Sequence, residues 1–191
     1  MKCDSQKAIL ISLFLGTSTN YCLSTPFLPI FLEDRGISST WIGIIFAIFA
    51  VASTIASIVA GKIVDKVGHK VVLNRSILLM TVCTVTFGLI NKIEAESFVI
   101  VVACLLRFGQ GSAYGAVNTV VFSFAAQAYP DEVEKLISIL EGATGIGFIL
   151  GPVLGSYIYN AIGFSLTYFF VGLSLIIIAL LTYCLDSPKK L

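Results

Sequence analysis

The sequence predicts an all-α integral membrane protein of six spanning helices, and three observations support this. Of its 191 residues 57% are hydrophobic and only 12% charged, with a mean hydropathy of +0.98, outside the range of soluble globular domains. The charges gather in short clusters separated by uncharged runs, long enough for the roughly 20 apolar residues a spanning helix needs. No stretch alternates polar and apolar residues as the ~10-residue strands of a membrane barrel would. The spans fall at about 8–31, 40–61, 71–91, 98–122, 136–159 and 164–185.

The first span opens with Lys2 and Lys7 ahead of "AILISLFLG", a pattern shared with signal peptides. Its apolar run continues through "TPFLPIFL", longer than such a leader, so it is read as a retained span. The second is uncharged from Thr40 to Ala60 and ends at "GKIVDKVGHK", residues 61–70, a charged turn into the third span. The fourth follows Lys92 and Glu96 and contains Arg107. From Gly142 to Tyr183 there is no charge; that is too long for one crossing, and "YNAIGF" supplies the break between the fifth and sixth spans.

If the spans alternate, Lys2, Lys7, Lys62, Lys66, Lys70, Lys135, Lys189 and Lys190 share one side, with Arg75 just inside the third helix there, and only Arg35 and Lys92 lie opposite. Basic residues in short loops stay inside, so both termini and the 62–70 loop are expected to be cytoplasmic. The sequon Asn74-Arg75-Ser76 is then on the wrong side to be glycosylated. The net charge of +1 gives no reason to expect nucleic acid. Cys3, Cys22, Cys83, Cys104 and Cys184 have neither metal nor disulfide spacing and read as small packing residues. The single histidine, His69, has no nucleophile or metal partner near it, so neither enzyme chemistry nor a metal is expected.

Polar residues inside spans are the functional candidates. Arg107, Gln110, Tyr114 and Asn118 recur at steps of three, four and four, placing them on one face of the fourth helix. A lone arginine at that depth costs ~2.5–3.5 kcal/mol on insertion scales, so it should face the bundle interior or an aqueous cavity and find an acceptor. It is either a scaffold arginine bonded to backbone carbonyls or a transport residue. Thr17, Asn20, Tyr21 and Ser24 form a similar stripe in the first span. Glu141, the carboxylate of the fifth span, lies roughly one and a half turns in; it either complements its helix's positive end or carries a proton or a counter-charge for a cation. Gly142, Gly145, Gly147, Gly151 and Gly155 repeat near helical spacing and offer a smooth face to another helix, with Pro152 favouring a bend.

Three stretches, in order, resemble the major facilitator superfamily. Gly61-x-x-x-Asp65-Lys66-x-Gly68-His69-Lys70 is similar to its cytoplasmic loop signature, with His69 where arginine is usual. Arg107-x-x-Gln110-Gly111 resembles its fourth-helix motif, and Gly147, Gly151, Pro152 and Gly155 its antiporter-type helix motif. In the loop, Gly61 and Gly68 permit close backbone approach, and Asp65 can sit on a neighbour's helix-end N–H groups. The resemblance covers essentially the whole chain, and is strongest to the drug:proton antiporter and vesicular amine-polyamine branch.

The resemblance implies one half of a major facilitator fold, a 3+3 inverted repeat in which the first and fourth helices correspond. It also implies a second six-helix half, from a longer chain or, alternatively, from a homodimer. The function implied is secondary active transport of a small organic, cationic solute by proton-coupled antiport, in the plasma membrane or a vesicle membrane. The proton gradient would be the energy source, with no cofactor, and the partners would be the bilayer, the solute and the second half. A monoamine is disfavoured because no aspartate stands near Thr17. The alternatives are a uniporter, or a non-transporting protein of the same fold acting through interactions.

Overall fold

A computed structural model describes residues 2–183. Cys184, Lys189, Lys190 and the end of the sixth expected span lie outside the described residues, as do the side chains of Lys2 and Cys3. The helices run in the order α1 (Lys2–Leu23), α2 (Phe27–Glu33), α3 (Ser39–Val67), α4 (His69–Phe87), α5 (Glu96–Ala128) and α6 (Val133–Tyr183). There is no strand among the described residues.

Five stretches are long and apolar enough to cross a membrane; the last, Pro130–Tyr183, has 54 residues. At ~1.5 Å per residue a straight helix of that length would reach about 80 Å, far beyond a hydrocarbon core of ~30 Å. The chain instead reverses at Gly163, in the expected "YNAIGF" segment, where φ is 77° and ψ 178°. Only glycine adopts that backbone without strain. Two arms result, 133–162 and 164–183, and the fold has six crossing segments.

Two element boundaries differ from the sequence reading. The first crossing is not one helix, because α1 stops at Leu23 and α2 starts at Phe27. Pro26 has no N–H to donate and disfavours helical backbone at Thr25, whose own N–H bonds Cys22 O at 3.1 Å as a tight turn. The second crossing does not end at residue 61. Nothing in Lys62–Val67 breaks a helix, so α3 runs on to Val67 and the expected ten-residue loop shrinks to a reversal at Gly68, with φ 94°.

The most extensive helix contacts are α1 against α6 and α3 against α5. Both seams are set by glycine. A Cβ at Gly147 would lie 2.9 Å from Thr19 N, one at Gly151 2.8 Å from Thr19 O, and one at Gly155 would collide with the carbonyl of Leu23. Across the other seam, Gly111 and Gly115 press on the backbone of Phe49 and Ser53, a small-xxx-small contact. Gly142 and Gly145, by contrast, are exposed, with nothing near their Cβ positions; three of the five expected glycines make the seam. Pro152 leaves the helical backbone of α6 intact, since only Gly163 departs from it.

Two large apolar clusters fill the ends of the bundle. One gathers Leu10, Phe14, Leu73, Val121 and Phe124; the other gathers Phe27, Leu28, Phe31, Phe87 and Phe164. Between them lies a small cluster of Phe49, Met80, Ala113, Tyr114 and Leu175, small because polar side chains occupy that level. Large apolar side chains such as Val82, Leu105, Ile149 and Leu173 point outward, as a lipid-facing surface requires.

The turns fall into two sets. At one end Lys7 pairs with Glu132, and Lys70 Nζ donates to Tyr183 O at 2.7 Å. At the other, Arg35 ties the α2–α3 turn to the α4–α5 turn, donating to Ile93 O, to Asn91 O at 2.6 Å and to Asn91 Oδ1 at 2.8 Å. The lysines at 7, 62, 66, 70 and 135 thus share one end, with Arg35 and Lys92 opposite.

Candidate functional site

The mid-level polar cluster is built around Arg107, which the 3.6-residue repeat of α5 turns inward. Only 3% of it is exposed. Its Nη2 donates to Ser24 Oγ at 2.8 Å, and its Nη1 to Gln110 Oε1 at 3.3 Å. Gln110 Nε2 passes the chain on to Thr84 Oγ1 at 3.1 Å. These acceptors are side chains of α5 and of the α1–α2 turn, not the backbone carbonyls a scaffold arginine was expected to use.

Three phenyl rings help the guanidinium to exist at this depth. Its carbon lies 5.0 Å from the centroid of Phe46, 5.3 Å from Phe87 and 6.0 Å from Phe49. Cation–π attraction of this kind reaches ~2 kcal/mol when desolvated, which offsets much of the insertion cost. No carboxylate pairs with Arg107 among the described residues.

Arg107 borders a narrow cleft together with Asn20, Tyr21, Ser24, Thr84, Gln110 and Tyr168, and with Phe49 and Met80. Its free space amounts to about one water molecule. Three buried polar atoms around it, Arg107 Nε, Asn20 Nδ2 and the Tyr168 hydroxyl, make no hydrogen bond among the described residues. Tyr168 and Ser24 line the cleft together. Unmet hydrogen-bonding capacity in a low-dielectric interior costs ~1–3 kcal/mol per group, so the cleft favours a polar group entering it.

Beside the cleft, aromatic rings from four helices cluster, Tyr21 stacking on Phe49 and Tyr114 and meeting Phe148 at a tilt. Tyr21 lies 4.4 Å from Phe49, 5.3 Å from Tyr114 and 5.9 Å from Phe148. Phe148, on α6, is 43% exposed, so this cluster reaches from the cleft to an uncovered face.

The structure thus brings Arg107, Gln110, Asn20 and Tyr21 together and places Tyr114 against Tyr21. Asn118, further along α5, stays outside the cleft, and its Oδ1 is buried and unpartnered. Glu141 is not drawn in; it is exposed on α6. Because α6 begins at Val133, Glu141 sits about 12 Å along it, deeper than the turn and a half expected and beyond the first turn over which a helix end attracts charge.

In the loop motif, Gly68 holds the positive φ the reversal needs. Gly61 leaves ordinary room, its Cβ position 3.7 Å from a Thr119 methyl, so the close approach expected there is not made within this chain. Asp65 is exposed and hydrogen-bonds no described residue; Lys66 is exposed beside it. His69 is buried, with its Nε2 3.0 Å from Ser123 Oγ. Sequence reading missed Tyr168, Thr84 and the rings Phe46, Phe49, Phe87 and Phe148. Tyr168 lies in an apolar run with no polar periodicity, and nothing local distinguishes a pathway-side phenylalanine from a lipid-facing one.

Comparison with known proteins agrees with this architecture. The chain is 31% identical over 177 residues to the MFS-type transporter SLC18B1 of Mus musculus, covering 92% of this chain and 39% of that protein. It is 31% identical over 173 residues to the multidrug resistance protein MdtG of Dickeya zeae, covering 87% and 40%. It is 26% identical over 180 residues to the quinolone resistance protein NorA of Staphylococcus aureus, covering 93% and 43%. The chain therefore spans about 40% of the length of these relatives. The fold superposes on the crystal structure of a D-xylose-proton symporter with a TM-score of 0.78 at 15% identity, over 97% of this chain and 48% of that one. The model of the Major Facilitator Superfamily matches residues 9–191, and the chain belongs to that family.

Proposed function

We propose that the complete protein is a secondary transporter exchanging a small organic cation for protons by alternating access. This chain supplies one six-helix half, and a second half closes the pathway. The observation that carries the reading is the polar cleft around Arg107, joined to the aromatic cluster of Tyr21, Phe49, Tyr114 and Phe148 at mid-bundle. A membrane protein with no use for polarity at that depth would fill it with leucine. Aromatic faces suit an organic cation. Glu141, exposed on α6 outside the cleft and beyond the reach of its own helix end, takes the role of proton carrier or counter-charge for the cation in this reading.

The remaining motifs take mechanical roles in this reading. Exposed Asp65 and Lys66, with Gly68 and Lys70, form a conformational loop in which Asp65 accepts from helix-end N–H groups of the second half. The seam of Gly147, Gly151 and Gly155, with Pro152, lets α1 and the first arm of α6 move as one body. The proton gradient supplies the energy without a cofactor, and the setting is the plasma membrane or a vesicle membrane with both termini cytoplasmic.

The test is uptake of labelled polyamines and monoamines into proteoliposomes with an acidic interior. Accumulation that a protonophore abolishes supports antiport. Equal uptake with the gradient collapsed identifies a uniporter, and no uptake of any organic cation rejects the solute class.

A further inference from the structure

On their outer face, α4 and the second arm of α6 leave a groove of about 220 Å³. It has no part in the cleft described above. From the end that carries Lys70 and the end of α6 inward, its lining changes from Asn74, Arg75 and Tyr183 to Leu78, Ala179, Ile176 and Thr81, the Thr81 hydroxyl donating to Ile77 O of its own helix at 2.8 Å. Leu78 is 62% and Ile176 45% exposed, so the inner part opens to the lipid-facing surface. Thr182 donates to Asn74 and holds the two helices together at the outer part.

Arg75 is the unusual member. It is exposed at the mouth and, among the described residues, makes no hydrogen bond or ion pair and meets no carboxylate lining the groove. Six residues into α4 from His69, it lies about 9 Å from the helix start, and its long side chain can carry the charge back toward that end of the bundle. Lys70 adds a second positive charge nearby, bonded to the Tyr183 carbonyl, and the Tyr183 ring has the amphipathic character that favours a membrane interface.

We propose that this groove binds an anionic glycerophospholipid, its phosphate held by Arg75 and one acyl chain lying along Leu78, Ala179 and Ile176. A soluble anion would use the arginine but gain nothing from the apolar inner part; a zwitterionic lipid would use the inner part but offset the charge. The site lies at the end where the basic loops gather, which is the end facing the anionic leaflet if those loops are cytoplasmic.

The test uses the purified full-length protein and native mass spectrometry, with phosphatidylglycerol and phosphatidylcholine of identical chains titrated against it. Wild type is expected to retain phosphatidylglycerol preferentially. Arg75→Gln should cut that retention about fivefold, the weight of one basic group at an anionic surface, with phosphatidylcholine unchanged and Arg75→Lys restoring most of the preference. Ala179→Phe, which fills the apolar part, should lower retention of both lipids. Glycerol 3-phosphate at millimolar concentration should not displace the lipid. Wild-type retention in Arg75→Gln or in Ala179→Phe, or full displacement by glycerol 3-phosphate, would overturn the proposal.

Discussion

Arg107 in α5 and Ser24 just after α1 are 83 positions apart and meet through a 2.8 Å hydrogen bond from Nη2 to Oγ in the bundle interior. The first and fourth helices, counterparts in the inverted repeat, are thereby joined at the level where the apolar core is thinnest. Removing the hydroxyl leaves the guanidinium with one side-chain acceptor, Gln110. Ser24→Ala should therefore cost ~1.5–3 kcal/mol, the worth of a hydrogen bond to a charged group. A lowered melting temperature in differential scanning fluorimetry is the expected result, with Ser24→Thr close to wild type.

The glycine seam makes a second prediction. At Gly155 an added methyl meets the Leu23 carbonyl, which is backbone and cannot swing aside. Gly155→Ala should destabilise by ~1–3 kcal/mol, the usual cost of overpacking, despite alanine's better helix propensity. Thermal stability in detergent checks it; an unchanged midpoint would mean that α1 and α6 sit further apart.

Lys66, near the end of α3, and Glu94, in the turn before α5, lie at opposite ends of the bundle. With the basic loops inside, cysteine at Lys66 should resist an impermeant thiol reagent in sealed, right-side-out cells, and cysteine at Glu94 should react. Equal labelling would contradict this orientation.

Glu141→Gln separates coupling from architecture. The amide keeps the shape and loses the titrating charge, so solute exchange should survive while pH-driven accumulation disappears. Wild-type and variant pH profiles of accumulation, corrected for protein inserted, are the measurement; coincident profiles would remove Glu141 from the coupling step.

Much of this was legible in the sequence because a bilayer imposes simple rules. Uncharged runs of fixed length, charge at the turns and a glycine where 42 uncharged residues must fold back locate most of the crossing segments. The stripe from Arg107 to Tyr114 was legible for a similar reason, since a polar residue in an apolar run is conspicuous and periodicity gives its face. Element ends were less so: whether Lys62–Val67 is helix or loop depends on a single breaker, and Gly68 alone supplies it. Tyr168 and the rings around Arg107 could not be read, because their roles depend on which helices meet. The Gly111-x-x-x-Gly115 contact follows a small-xxx-small pattern, but the pattern does not say which helix faces it; that is α3, at Phe49 and Ser53.

The most direct test of the central claim, that the cleft around Arg107 belongs to the transport pathway, is solute uptake by the complete protein carrying Arg107→Ala or Arg107→Lys in proteoliposomes. The variants are matched to wild type for inserted, monodisperse protein. Uptake is predicted to vanish in the alanine variant. It should fall at least tenfold in the lysine variant, because an ammonium cannot supply the guanidinium's forked donors to Ser24 and Gln110 together. Wild-type uptake by the alanine variant would contradict the account and leave Arg107 as scaffold.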